Sequence, residues 1–447
     1  MMGARRGPLA DVEVPAVVYP DSPAALGVCR ALGVHGVPVI VVATNGSTPG
    51  QYSRHTRRVV SLPGVREPRE LVASLSELGR EFGQPPVLFL ADDAALLALS
   101  PHRVALEQWF RFPSAPWPVL HEMMLKDRLY DALAGVVPVP RTVVPSAEDG
   151  LAAAARAIGY PAIVKPLLRC LADSPGPAAM PFERCFGAKA VRVQTWSQLR
   201  EAHAASRARG FPVLVQEEIE GPISALYSLG VYVTRAGDVA AAFTSRKLGQ
   251  VPADFGDGLI VQATRAPELL ELGARALGHF GYYGIADVEF KWDARAGVFK
   301  LLDINPRPWP WIHLPTACGV NLPYAAYLDA LSRPVTAGQF AQRDFETRWL
   351  SATGLLTFTA RALRAGRPDR VLTVLRHARQ ARVGMFSAED PLLRMYTSPR
   401  YWKDSLRRAT AWLREVPREA GPLPLLETSG VTPAAGRTAP TRRNHDG

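Results

Sequence analysis

Glu289, Asp303, Asn305 and Arg307 fall in one short stretch, Gly284 to Trp309, reading GIADVEFKWDARAGVFKLLDINPRPW. Alternation there predicts a β-hairpin. Val288 and Phe290 point one way, and Asp287, Glu289 and Lys291 the other. After a turn over Asp293 to Gly297, Leu302 and Ile304 take the apolar side, and Asp303 and Asn305 the polar side. In that register Lys300 falls among the apolar residues and has to snorkel. If Glu289 stands opposite Asp303, or offset by two, three oxygen-bearing side chains converge. Two carboxylates and an amide are hard ligands that suit Mg²⁺ shared with a nucleotide's phosphates. Pro306 stops the strand, and Arg307 then sits beside the carboxylates, able to grip an anion with two parallel hydrogen bonds.

Such residues need a scaffold, and the chain supplies one. At 447 residues, 47% hydrophobic and 21% charged, it is long enough for two or three domains with cores. Residues 14–19 and 37–43 read as short buried strands flanking a helix over 24–32. A helix over 70–82 precedes a third strand at 87–90. That alternation predicts an open, parallel-type α/β sheet. The first strand–helix junction, PDSPAALG, lacks the G-x-G-x-x-G fingerprint of dinucleotide-binding folds. Residues 111–118, with three prolines, read as a linker. One amphipathic helix is expected over HEMMLKDRLYDAL, 121–133, then a helix over 151–158 and a strand over AIVKP, 162–166. A Pro/Gly/Ala loop covers 171–181, followed by a strand at 188–193, a helix at 197–208, the strand PVLVQEEI, and strands near 226–234 and 239–244. Beyond Pro334 the spacing turns helical, including 370–384, and the Pro/Thr/Arg/Gly-rich tail from about 420 has a disordered composition.

The hairpin resembles the metal-binding end of the ATP-grasp superfamily, where a V-D/E-F strand is followed by one ending E/D-I-N-P. The matching residues are Val288-Glu289-Phe290 and Asp303-Ile304-Asn305-Pro306-Arg307. With Trp309 downstream, the match is most similar to the carboxylate–amine ligase branch that includes D-aspartate ligases. The resemblance implies an α/β pre-ATP-grasp domain over 1–118, a two-lobed α+β ATP-grasp domain over 122–334, a helical region over 335–418 and a disordered tail over 419–447. It implies that Glu289, Asp303 and Asn305 hold Mg²⁺ (Mn²⁺ as the alternative ion) with ATP, and that Arg307 contacts a substrate carboxylate or an acyl-phosphate.

The same resemblance assigns further residues. Lys126 and Lys165 match the lysines that reach the phosphates, and a buried strand lysine such as Lys165 is costly without an anion nearby. Adenine recognition falls on VLVQEEIEG, with Gln216, Glu217, Glu218 and Ile219 as its residues and the Gln216 amide offered to the adenine amino group. Pro222 and Ile223 stand where many members place the acidic residue that binds ribose, leaving Ser224 as a weak substitute. Lys189, in Phe186-Gly187-Ala188-Lys189-Ala190, ends a phosphate-covering lid over 167–187, and TSRKLGQVPADFGDG is a loop laying Arg246, Lys247 and Gln250 over the acyl-phosphate, although Gly249 replaces a basic residue of the family pattern. FSAEDPL partly matches the branch's C-terminal motif.

The implied activity is ATP-dependent joining of a small-molecule carboxylate to an amine through an acyl-phosphate, with ADP and phosphate released. The alternatives are another ATP-grasp phosphotransferase, a carboxylase, or a non-catalytic nucleic-acid-binding or regulatory protein on the same fold. The net charge of +11 suits anionic ligands, but no basic stripe interleaved with aromatics argues for nucleic acid. Cys29, Cys170, Cys185 and Cys318 lack metal spacing and read as small hydrophobes of a reducing compartment. No apolar run spans a membrane and the N-terminus has no signal-peptide pattern, so a cytoplasmic location is expected. The oligomeric state is left open, with a homodimer among the options.

Overall fold

The computed structural model describes residues 14–403, apart from 44–48, 63–66, 147, 170–181, 253, 337, 365, 380, 385–386, 388–389, 392–394, 396–397 and 400. Most of the expected lid loop and the whole C-terminal tail therefore lie outside the described residues. The N-terminal part is a parallel sheet of β1 (Ala16–Tyr19), β2 (Val39–Ala43), β3 (Thr56–Ser61) and β4 (Val87–Leu90), in the order β3-β2-β1-β4. Three of these are the expected strands. β3 was not legible, because TRRVVS is a largely exposed edge strand with arginines in its middle. Ser22 and Asp92 cap the two helices that follow β1 and β4, each accepting from the backbone N–H three residues on.

The small lobe is an antiparallel sheet of β5 (Thr142–Val143), β6 (Ala162–Pro166), β7 (Val191–Val193) and β8 (Val213–Glu217), in the order β5-β8-β6-β7. The large lobe is a seven-stranded sheet of β9 (Leu226–Val233), β10 (Val239–Val251), β11 (Asp257–Ala263), β12 (Gly284–Asp293), β13 (Val298–Asn305), β14 (Arg348–Leu350) and β15 (Ala381–Gly384). Its order is β13-β12-β9-β10-β11-β14-β15, with only the last pair parallel. One core runs from Val17, Leu75 and Leu88 through Phe110 and Leu120 to Val288 and Phe290, so it crosses the linker expected at 111–118.

Three local expectations are corrected. The helix expected over 121–133 is two helices, Trp117–Met124 and Lys126–Leu133, broken at Leu125, whose backbone is extended (φ −80°, ψ 112°). The segment 244–258 is not a loop. Most of it belongs to β10 and the start of β11, which pair antiparallel around a tip at 252–256. The end of the helical stretch at 370–384 is β15, and Arg348–Leu350 is also a strand, both completing the sheet edge.

The C-terminal segment is fastened to the N-terminal sheet by a buried ion pair. Arg30 Nε donates to Asp390 Oδ2 at 3.0 Å, and both side chains are almost fully buried. Arg30 also donates to the carbonyls of Gly384 and Asp390, while Ser53 Oγ and the Arg54 N–H donate to the Asp390 carboxylate. Burial pushes the Asp390 carboxyl up, but these donors outweigh it and hold it below the usual range. Asp390→Ala strands the Arg30 guanidinium and is expected to cost about 3–5 kcal/mol in urea denaturation. A loss below about 1 kcal/mol would show that the pair is not what fastens this segment.

Candidate active site

The hairpin of β12 and β13 has the register that alternation allows. Glu289 pairs with Asp303, and Asp287 with Asn305. A bulge then shifts the pairing between Glu289 and Phe290, so Leu301 rather than Leu302 faces the core, fully buried opposite Phe290. Lys300 consequently does not snorkel across an apolar face. It stands opposite Lys291 and its Nζ contacts Glu217 at 2.6 Å and Asp293 at 3.0 Å. Leu302, displaced by the bulge, lines the cavity between the two lobes.

That cavity gathers most of the predicted residues. Its walls include Lys126, Lys165 and Lys189, the strand end Gln216 to Ile219, Lys247, Gln250, Glu289, Asp303 and Asn305. Lys126 heads its short helix, and its Nζ lies 2.7 Å from both Asp303 oxygens. Lys247 Nζ reaches Glu289 Oε2 at 3.2 Å. Burial would raise the Glu289 carboxyl, but the charges of Lys247 and Lys189 outweigh it and lower it. Lys247 is raised in turn, since Glu289 and Asp287 overcome the burial that lowers it. Asp287 goes the other way. Burial first, and the Glu289 charge second, push it up to about 7, and Ser228 Oγ donates to its Oδ1 at 2.5 Å.

Lys165 is the penultimate residue of β6, half-buried among Lys126, Lys291, Asp303 and Glu289. Burial and the charge of Lys126 lower it to about 8. Its Nζ donates to Gln216 Oε1 at 2.8 Å, and Gln216 Nε2 donates to Thr142 Oγ1 at 2.9 Å. The Gln216 amide is thus spent on both sides. In this arrangement the amide links Lys165 to Thr142 while Gln216 lines the cavity. Glu217 is paired with Arg141 and Lys300, and Glu218 with Arg192, while both carboxylates and the buried Ile219 line the cavity. Ile223 lines the same cavity.

Lys189 follows Gly187, whose φ of +74° suits glycine, and its Nζ binds Asp257 Oδ1 at 2.6 Å. Its N–H donates to the Phe255 carbonyl, so this residue rests against the segment between β10 and β11.

Two predicted residues are placed elsewhere. Strand alternation sends Arg246 to the face opposite Lys247, beside Gln262, with its Nη2 3.5 Å from Gln262 Oε1. It is absent from the cavity walls. Arg307 is buried behind Asn305, and its Nε and Nη2 take the two Asp93 oxygens at 2.6 and 2.8 Å. Arg169 shares that carboxylate at 3.3 Å while lining the cavity itself. Asp93 is held far below the usual carboxylate range, because Arg307 and Arg169 together outweigh its burial. Sequence reasoning missed Asp93, Arg169, Arg192, Asp257 and Lys291. One signal was available: Asp92-Asp93 follow a parallel strand at its carboxyl end, where open α/β sheets place ligand-facing residues.

The donor set fits Mg²⁺. Among the described residues no group of three His, Cys, Asp or Glu side chains could hold a metal by itself. Two carboxylates and one amide leave further places for phosphate oxygens and water, which is how Mg²⁺ is usually held.

A family model described as ATP-grasp in the biosynthetic pathway with Ter operon matches residues 213–353, which carry β9 to β14 and the hairpin. No curated protein sequence matches the chain. Among solved structures, the biotin carboxylase domain of the Hydrogenobacter thermophilus 2-oxoglutarate carboxylase, in complex with MgADP, ADP and bicarbonate, is 18% identical. It matches over 75% of this chain and 73% of that one, with a TM-score of 0.57. The biotin carboxylase of Campylobacter jejuni, bound to β,γ-ATP, is 15% identical over 75% of each chain, with a TM-score of 0.58. Carboxyaminoimidazole ribonucleotide synthase from Aspergillus clavatus, complexed with ATP, is 15% identical over 74% of this chain and 80% of that one, with a TM-score of 0.57. At these identities the likeness is one of fold.

Proposed function

We propose that this chain, whose residues 213–353 match an ATP-grasp family model, is an ATP-dependent carboxylate–amine ligase working through an acyl-phosphate. The observation that carries the reading is the convergence of Lys126, Lys165, Lys189 and Lys247 with Glu289, Asp303 and Asn305 on one cavity between two lobes. ATP and Mg²⁺ are the cofactors of this reading. Glu289, Asp303 and Asn305 would hold Mg²⁺, which when bound would supply charge neutralisation at the phosphates.

Lys126 and Lys247 already face the carboxylates Asp303 and Glu289, so these two exchange one anionic partner for another as the nucleotide enters. Lys126 and Lys165 hold the phosphates from the small-lobe side. Lys247 approaches from β10, with Lys189 at the lid. An oxygen of the acid substrate attacks the γ-phosphorus, the bond to the ADP oxygen breaks, and an acyl-phosphate forms. The amine nitrogen then attacks the acyl carbon, loses a proton and expels phosphate, leaving an amide. No side-chain nucleophile is needed, so catalysis rests on positioning and charge stabilisation. Arg307, fixed by Asp93 and the Pro308 carbonyl, acts here as a positioning residue: its Nη2, already on Asp93, also donates to Asn305 Oδ1 at 3.3 Å.

The experiment is ADP release by purified protein with ATP, Mg²⁺ and pools of acids and amines, with hydroxylamine added to trap the acyl-phosphate as a hydroxamate. Release that needs both an acid and an amine supports the ligase. Release needing no amine, with a stable phosphorylated product, overturns it. A second reading takes bicarbonate as the acid, as in the bicarbonate-bound fold neighbour. It predicts that removing CO₂ and bicarbonate from the assay abolishes turnover.

A further inference from the structure

The helices Ala352–Arg364 and Pro368–Ala378 pack against each other and, through Phe358, Ala362 and Val374, against Leu259 and Ile260 of β11. Burying that stripe leaves a second apolar stripe facing outward. Leu356 and Leu363, seven residues apart on the first helix, are 73% and 57% exposed, and Leu372 and Leu375 on the second are 60% and 42% exposed. Exposed leucines at helical spacing on two adjoining helices form a patch rather than scattered singletons. Charge surrounds it. Residues 352–384 carry seven arginines against Asp369 alone, more than half of the chain's formal net charge of +11. Arg364, Arg367, Arg376, Arg379 and Arg382 are all exposed.

We propose that this helical pair is a docking surface for an anionic lipid bilayer. The leucines enter the boundary between headgroups and acyl chains, and the arginines lie at the level of the lipid phosphates. Leucines on one side of a helix with arginines along its flanks are the pattern of a segment lying in the membrane interface. A bilayer supplies apolar depth and negative charge together, without the fitted groove that an acidic protein would have to bring. A second copy of this chain would set two strongly cationic faces against each other. Nucleic acid would engage the arginines and leave the leucines in water.

The test is flotation of the full-length protein with vesicles of phosphatidylglycerol and phosphatidylcholine in equal parts, beside vesicles of phosphatidylcholine alone. Binding is expected to be about ten-fold or more tighter to the anionic vesicles and to weaken with salt. The double variant Leu356→Ser, Leu372→Ser is expected to bind about ten-fold or more weakly, because each leucine side chain contributes apolar area. The triple variant Arg364→Gln, Arg376→Gln, Arg379→Gln is expected to lose the preference for anionic lipid. Both variants should keep wild-type thermal melting and ADP release, since neither touches the cavity. Equal binding to both vesicles, or variants that float as the wild type does, overturns the proposal. So does a solution dimer that the leucine variant dissociates, or RNA or polyglutamate binding without vesicle binding.

Discussion

Glu289→Gln and Asp303→Asn are each expected to lower ATP-dependent product formation by about 10³-fold, while leaving Mg²⁺-free nucleotide binding within a few-fold of wild type. The two carboxylates face one another across β12 and β13 and are matched by Lys247 and Lys126 at 3.2 and 2.7 Å. Each amide variant removes one hard anionic ligand and frees one lysine. The freed lysine still favours phosphate, which is why nucleotide alone continues to bind. The lost ligand weakens the hold on Mg²⁺ where charge develops in the transition state, and losses of about 3–4 kcal/mol there correspond to rate losses of 10²–10³-fold or slightly more. The measurement is ADP release across a Mg²⁺ titration, alongside fluorescence titration with ADP in EDTA. Wild-type turnover in either variant at limiting Mg²⁺ would remove that residue from the metal site. A melting curve matching the wild type separates this loss from misfolding.

How far the site was legible in the sequence follows from the physics of each element. The hairpin was legible because side chains on strands alternate strictly, so Glu289, Asp303 and Asn305 share a face whatever the rest of the chain does. The bulge was not, because one inserted residue leaves composition untouched while reversing every side chain beyond it, as Leu301 and Lys300 show. Arg246 was misplaced for a related reason. Adjacent residues on a strand face opposite ways, and only the reading of 244–258 as a loop allowed Arg246 and Lys247 to act together. The partners of Gln216 and Arg307 were beyond reach. Thr142 and Asp93 lie 74 and 214 residues away in the chain, and the pairing depends on how whole lobes meet. β14 and β15 were hidden by their brevity, since three or four residues in a helical context carry no periodicity of their own.

Lys165 is expected to make nucleotide affinity depend on pH in one direction only. Burial and Lys126 lower its ammonium to about 8. It is therefore protonated in the free protein at neutral pH and loses its charge as pH rises through about 8. A bound phosphate favours the charged form and raises the pKa, so binding above pH 8 requires uptake of a proton. Affinity for ADP should be level from about pH 6.5 to 7.5 and should then fall above pH 8, with a limiting slope of ten-fold per pH unit for one proton. The sign for stability is opposite. The folded pKa lies below the unfolded value of 10.5, so the unfolded chain binds more protons between about 8 and 10.5. This residue's contribution to stability consequently rises with pH across that window. Lys165→Arg keeps its charge throughout and should flatten the binding profile. Lys165→Met should weaken ADP about 10- to 100-fold at pH 7, the worth of one charge-assisted hydrogen bond, and abolish the slope. Calorimetric titration in buffers of different ionisation enthalpy, repeated from pH 6.5 to 9.5, reads both the affinity and the proton taken up. A level profile in the wild type, or an undiminished slope in Lys165→Met, would place the titrating group elsewhere and leave Lys165 as a partner of Gln216 alone.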